Sequence, residues 1–226
     1  MIRDPEILEA LLDSVRRFVR ERLVPAENEV AETDEIPEAI VQEMRELGLF
    51  GMTIPERFGG LELTMEEECR VLFELCQTAP AFRSVIGTTV GIGSQGILMD
   101  GTAAQKEAWL PRIASGELVM SFALTEPEAG SDAASLKTRA VADGEDYLIS
   151  GSKRYITNAS RAGAFTLMAR TGGAGASGIS AFIVPADAPG LSVGKPARKR
   201  GQRGTQTDGR RSAHRRLQAV DDAQLA

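Results

Sequence analysis

Histidine and cysteine are scarce in this 226-residue chain: His214 stands alone, and Cys69 and Cys76 are the two thiols. Two cysteines cannot build a disulfide framework. His214 has no carboxylate or thiol neighbours at ligand spacing, so no metal is expected. No run of about 18 uncharged apolar residues occurs, which excludes a membrane-spanning helix and a membrane partner. The first thirteen residues carry Asp4, Glu6, Glu9 and Asp13, unlike a secretory or Arg-rich transit leader. A cytoplasmic protein is the expectation.

What is present is ordinary globular composition. Hydrophobic residues make up 42% of the chain. That excludes wholesale disorder and allows roughly 70% of the unfolded surface to be buried. Charge, however, is uneven. The chain carries a net -6, yet residues 195–226 hold nine basic residues against three acidic ones. A basic arm for nucleic acid is one reading of that tail. The tail has no Phe, Tyr or Trp for base stacking, and the acidic body repels the same partner, so no nucleic acid is expected.

The first half reads as helices. Ile7, Leu8, Leu11, Leu12, Val15, Phe18 and Val19 recur at three- and four-residue spacing, one apolar stripe that Pro25 limits. A second helix begins at Pro37 and runs to a Gly48 cap. Thr64 with Glu67, and Thr102 with Gln105, are capping boxes that open two more. The first of these puts Cys69, Leu72, Phe73 and Cys76 on one side, and both thiols read as small core hydrophobes. Ser84–Met99 is apolar nearly all round and carries four glycines, so it reads as one buried helix. Trp109 packs in the next helix, which Pro111 kinks or interrupts and Gly116 closes.

The second half changes period. Short strands are expected at 119–124, 138–142, 147–149, 154–156, 165–169, 179–184 and 191–193, with Asp143-Gly144 as a hairpin turn. The glycine-rich run 171–178 lacks Gly-Lys-Ser/Thr and reads as a hairpin loop. The fold class is α+β: an N-terminal all-α helical domain over 1–118, then a small antiparallel β-barrel-like domain from 119.

Two stretches carry chemistry. Phe122-Ala-Leu-Thr-Glu-Pro-Glu-Ala-Gly-Ser-Asp132 runs from a strand into a turn. Its backbone amides and the Thr125 and Ser131 hydroxyls suit a planar ligand rich in carbonyl acceptors, or a phosphate. An ordinary polar loop fits the same residues. Gly151-Ser-Lys-Arg-Tyr-Ile-Thr-Asn158 ends a strand with Tyr155 and Thr157 alternating to one face. An aromatic beside a hydroxyl can cover a flat heteroaromatic ring; a surface Tyr and Thr of high β-propensity is the plain alternative.

Together these pieces resemble the acyl-CoA dehydrogenase family of flavoproteins. The match also takes in Ile54-Pro-Glu-Arg-Phe-Gly-Gly60, Gly101-Thr-Ala-Ala-Gln-Lys-Glu-Ala-Trp-Leu-Pro-Arg112, Ala181-Phe-Ile-Val184, Pro189-Gly190 and Gly201-Gln-Arg-Gly204. It covers residues 1–207 and extends the β domain to 119–207. The resemblance implies a three-domain subunit with FAD between the middle β domain and a C-terminal four-helix domain. By matched position, Phe122, Ala123, Leu124, Thr125, Gly130 and Ser131 line the flavin on one side, and Tyr155, Ile156 and Thr157 on the other. Leu124 and Thr125 face its pyrimidine edge. Ser131 bonds the pyrophosphate and lies near the acyl-CoA. Tyr155, where the family often has Trp, packs on the ring, and Thr157 bonds near N5. The implied reaction is α,β-dehydrogenation of an acyl-CoA thioester in fatty acid metabolism, with hydride passing to FAD N5 and electrons then to electron-transfer flavoprotein.

The family's catalytic carboxylate lies in the C-terminal four-helix domain, absent here, so no catalytic residue is assigned. Glu126 and Glu128 are rejected as substitutes: the first belongs to the flavin loop and the second follows Pro127 in a turn. Past Thr207 the family continues with a strand, whereas 208–226 holds only Leu217, Val220 and Leu225 as large apolar residues. A shifted reading frame near 207 accounts for a disordered basic tail. The expectation is an impaired fragment with weak FAD retention. Homo-oligomerisation, common in the family, runs through the same absent domain. A non-catalytic interaction module of the same fold is the alternative.

Overall fold

The computed structural model describes residues 2–144 and 146–194, with the backbone of 206–207. The basic tail, and the expectations placed on it, lie outside the described residues.

Helix α1 (Pro5–Phe18) starts where the Asp4 carboxylate accepts the N–H groups of Glu6 and Ile7. It buries Leu8, Leu12, Val15 and Phe18, four of the seven residues in the stripe read from spacing; Val19 is buried just beyond it, whereas Leu11 is only partly buried and Ile7 is exposed. Pro25 does not end the helical course. Val19–Leu23 forms a wide π turn in which the Val24 N–H reaches Val19 O, and α2 (Val24–Thr33) continues with Pro25 in its first turn. The added residue accommodates the ring and missing N–H of Pro25, which a regular turn does not. Helix α3 (Glu38–Glu46) ends near Gly48 at φ 72°.

The Thr64–Glu67 capping box is formed and opens α4 (Met65–Leu75). Its buried seam is Glu67, Val71 and Leu75, and it packs on α1. The two thiols are therefore not core residues: Cys69 and Cys76 are exposed, and Phe73 is 72% exposed. Cys69 and Phe73 each sit two residues from a seam position, about 200° around the helix.

Ser84–Met99 is not one buried helix either. It is divided into α5 (Pro80–Thr88), a wide turn at Thr89–Gly93, and α6 (Ser94–Asp100), with Gly91 at ψ -112°. Gly93 is required at the break, since a Cβ there would lie 2.7 Å from Thr88 O and 2.9 Å from Met120 Cβ. Ile92 and Met99 are exposed. Helix α7 (Ala103–Ala114) keeps Pro111 within it and is closed by Gly116 at φ 73°.

The strands are β1 (Met120–Ala123), β2 (Arg139–Asp143), β3 (Asp146–Ser150), β4 (Ile156–Thr157), β5 (Ala164–Arg170), β6 (Ile179–Pro185) and β7 (Gln206–Thr207). β2 and β3 make the expected hairpin, and β5 and β6 pair antiparallel along seven residues across the glycine-rich loop. β1 pairs with β5 in parallel, so the sheet is mixed rather than antiparallel throughout. Residues 191–193 form no strand. Ile54, Phe58, Ile97, Leu110, Ile113, Met120, Ala164 and Ile183 form one buried cluster, which joins the helices to the sheet. Trp109 packs against its edge.

Candidate functional site

The two stretches singled out by sequence lie side by side. β1 leads into the loop 124–132, and residues 151–158 run antiparallel to it. Ser121 Oγ donates to Thr157 O at 2.8 Å, and the Arg154 N–H donates to Thr125 O at 2.8 Å. Lys153 Nζ donates to Leu124 O at 2.9 Å and pairs with Glu126 Oε1 at 2.8 Å. Phe122, Ala123, Leu124 and Thr125 thus share a seam with Tyr155, Ile156 and Thr157.

Gly130 and Ser131 stand exposed beyond a tight turn. That turn is closed by Glu126 N–H to Ala129 O at 2.9 Å and Ala129 N–H to Glu126 O at 3.3 Å. Among the described residues, no hydrogen bond ties Ser131 to the 151–158 strand. Ala123 and Ile156 are buried in the β core, so only their backbone can meet a ligand.

Tyr155 reaches its place differently from the expected alternation. It has φ 59° and Asn158 has φ 61°, which leaves Ile156–Thr157 as the whole of β4. The left-handed turn, not strand pleating, aims the ring. Tyr155 is 52% exposed, and the Arg154 guanidinium carbon lies 4.8 Å from its ring centroid. Among the described residues, neither the Thr125 nor the Thr157 hydroxyl is engaged in a hydrogen bond.

Glu126 sits beneath the loop. Its oxygens accept from the Lys137 N–H at 2.6 Å, the Thr138 N–H at 2.9 Å and Lys153 Nζ. Burial pushes its carboxyl up, but the Lys153 ammonium and these amides outweigh burial and hold it down to about 2. Burial pushes the Lys153 ammonium down, against its pairing with Glu126. Glu126 is therefore an ionised, fully occupied strut rather than a base. Glu128 is exposed.

Residues 5–117 match the model of the acyl-CoA dehydrogenase N-terminal domain, and residues 121–210 that of the middle domain. The chain belongs to the acyl-CoA dehydrogenase family. It is 45% identical over 167 residues to (2S)-methylsuccinyl-CoA dehydrogenase of Cereibacter sphaeroides, covering 74% of this chain and 30% of that protein. It is 38% identical over 194 residues to an acyl-CoA dehydrogenase of Bacillus subtilis (strain 168), covering 85% and 51%. A glutaryl-CoA dehydrogenase structure from Mycobacterium smegmatis in complex with FADH2 superposes with a TM-score of 0.83 at 31% identity, covering 96% of this chain and 54% of that one. The chain thus spans a third to a half of the relatives it matches. Its helical domain and mixed-sheet domain are the family's first two.

Family members are FAD-dependent oxidoreductases. The residues present fit FAD: a half-exposed aromatic ring, two unengaged hydroxyls and an exposed turn at Gly130, where nothing lies within 4 Å of an added Cβ. Sequence reasoning missed what holds this arrangement, namely Ser121, Lys153 and Asn158. Lys153 and Asn158 lay within a matched piece, but a buried lysine or asparagine has no periodic signature.

Proposed function

We propose that this chain provides one wall of an FAD site in an acyl-CoA dehydrogenase. The supporting observation is the seam itself: Ser121 to Thr157, Arg154 to Thr125 and Lys153 to Leu124 bring both matched stretches together although they are some 30 residues apart. FAD supplies the hydride acceptor when bound. In this reading the Leu124 backbone and Thr125 meet the pyrimidine edge of the flavin, Tyr155 covers its ring, and the Thr157 hydroxyl bonds near N5. Gly130 and Ser131 take the pyrophosphate, with Ser131 near the acyl-CoA. The substrate is an acyl-CoA thioester, and electrons leave to electron-transfer flavoprotein.

The functional division is a helical unit at 1–118 and a flavin-contacting unit at 119–207. No helix among the described residues is long and apolar enough to cross a membrane. Two exposed unpaired cysteines suit a reducing compartment, which supports a cytoplasmic location.

Titration of the purified chain with FAD, followed by flavin fluorescence, tests this reading. Saturable binding is expected, weakened by Tyr155→Ala and by Thr157→Val. Binding that neither substitution alters would remove the flavin from this seam.

A further inference from the structure

The seam described above is tied to β1 on one side; its last residue, Asn158, is tied to the helical domain. Asn158 is buried and left-handed at φ 61°, a conformation asparagine tolerates better than most residues. Its Nδ2 donates to Ser84 O at 2.7 Å and to Val85 O at 3.1 Å. Two carbonyl acceptors require the amide nitrogen, not its oxygen, at this point.

Both acceptors belong to α5, one turn before the helix breaks. At that break the Thr89 N–H bonds Ile86 O, three residues back. The Val85 carbonyl lies four residues back from Thr89, and a buried carbonyl without a donor is costly. Asn158 supplies a donor to it. The same amide therefore joins the broken helix to the end of the segment that carries Tyr155 and Thr157.

We propose that Asn158 is a positioning residue that sets the flavin-contacting strand against the break in α5, so that the cofactor wall depends on both domains. This inference rests on the flavin reading of Tyr155–Thr157. Asn158 touches no ligand in it and acts through the three residues before it.

A second tie between the same units provides a control. Thr166 Oγ1 donates to Gly93 O at 2.7 Å, joining β5 to the same broken stretch without engaging residues 155–158. Three variants are compared: Asn158→Gly, which keeps the left-handed backbone and deletes the amide; Asn158→Asp, which sets an acceptor against two carbonyls; and Thr166→Val. Amide hydrogen exchange over residues 153–158 is read in the unliganded chain, and FAD affinity is read by titration at a temperature where each variant is folded.

Both Asn158 variants should lose protection over 153–158 and bind FAD at least about 10-fold more weakly, as expected for loss of two buried hydrogen bonds. Thr166→Val should do neither. Unchanged protection in Asn158→Gly overturns the inference and leaves the flavin reading intact. Lost protection with unchanged FAD affinity overturns the flavin reading of this strand, and with it the cofactor role of Asn158. Equal FAD losses in Thr166→Val and Asn158→Gly reduce Asn158 to general domain adhesion and overturn the inference.

Discussion

Lys153 Nζ lies 2.8 Å from Glu126 Oε1, with the two side chains 7% and 3% exposed. The same ammonium holds Leu124 O, and the neighbouring Arg154 N–H holds Thr125 O. The loop that carries Leu124, Thr125, Gly130 and Ser131 is thereby fastened from beneath by the segment that carries Tyr155, Ile156 and Thr157. A buried pair is costly to desolvate, so its value here lies in specifying this arrangement as much as in net stability.

Breaking one partner should accordingly cost more than removing both. Lys153→Met leaves the Glu126 carboxylate buried without its cation, and about 3–5 kcal/mol of stability should be lost. Glu126→Gln combined with Lys153→Met should restore part of that loss. Urea unfolding of wild type, both single variants and the double variant measures the coupling. Additive losses would show the pair to be energetically independent.

The pH dependence follows from the depressed Glu126 carboxyl. Its folded value is about 2, below the usual 4.5. The stabilisation is complete above the unfolded value and is lost as pH falls from about 4.5 toward 2. Wild type should therefore lose more stability over that interval than the Glu126→Gln, Lys153→Met double variant. Urea midpoints measured across that window for the two proteins check the sign, since parallel curves would remove Glu126 as the titrating group.

Two glycines in the loop between α3 and α4 separate steric fit from backbone freedom. A Cβ on Gly60 would collide with the Ile54 carbonyl, while Gly59 has open space but φ 83°. Gly59→Ala should cost about 1–2 kcal/mol, the ordinary left-handed penalty. Gly60→Ala should cost clearly more, because backbone must move. Thermal unfolding of the two variants ranks them, and the reverse order would contradict the packing of this loop.

The exposed face of α4 predicts thiol chemistry. Cys69 and Cys76 are both exposed, so both should react with a thiol reagent in the native chain at rates near those of the unfolded chain. Absorbance of the released chromophore counts them. Protection of either would place it in a core or an interface.

Local signals were the legible ones. The Thr64 and Thr102 capping boxes and the Asp143-Gly144 hairpin each depend on residues within a few positions, and each formed as read, as did most of the α1 stripe, with Ile7 exposed. Errors arose where a distant partner decides. Cys69 and Phe73 shared a helical side in the sequence, but only the docking of α1 on Glu67, Val71 and Leu75 fixes which side is inside. Pro25 looked like a stop because spacing alone does not reveal a π turn. The site residues came from matched motifs. Their supports did not, because Ser121–Thr157 and Asn158–Ser84 span 36 and 74 residues.

Tyr155 offers the sharpest separation of stability from function. A non-glycine residue at φ 59° carries about 1–2 kcal/mol of strain, and such strain persists where surrounding contacts over-determine it. Here the Arg154 N–H on one side and the Ser121 and Asn158 bonds on the other hold the backbone. Tyr155→Gly removes the strain and an aromatic ring that is already half exposed. Its unfolding free energy should equal or exceed that of wild type by up to about 1 kcal/mol, while FAD binding should weaken. Denaturation and flavin titration on the same preparation test both halves. A variant that loses stability and keeps its flavin affinity would mean that the ring serves the fold and not the cofactor.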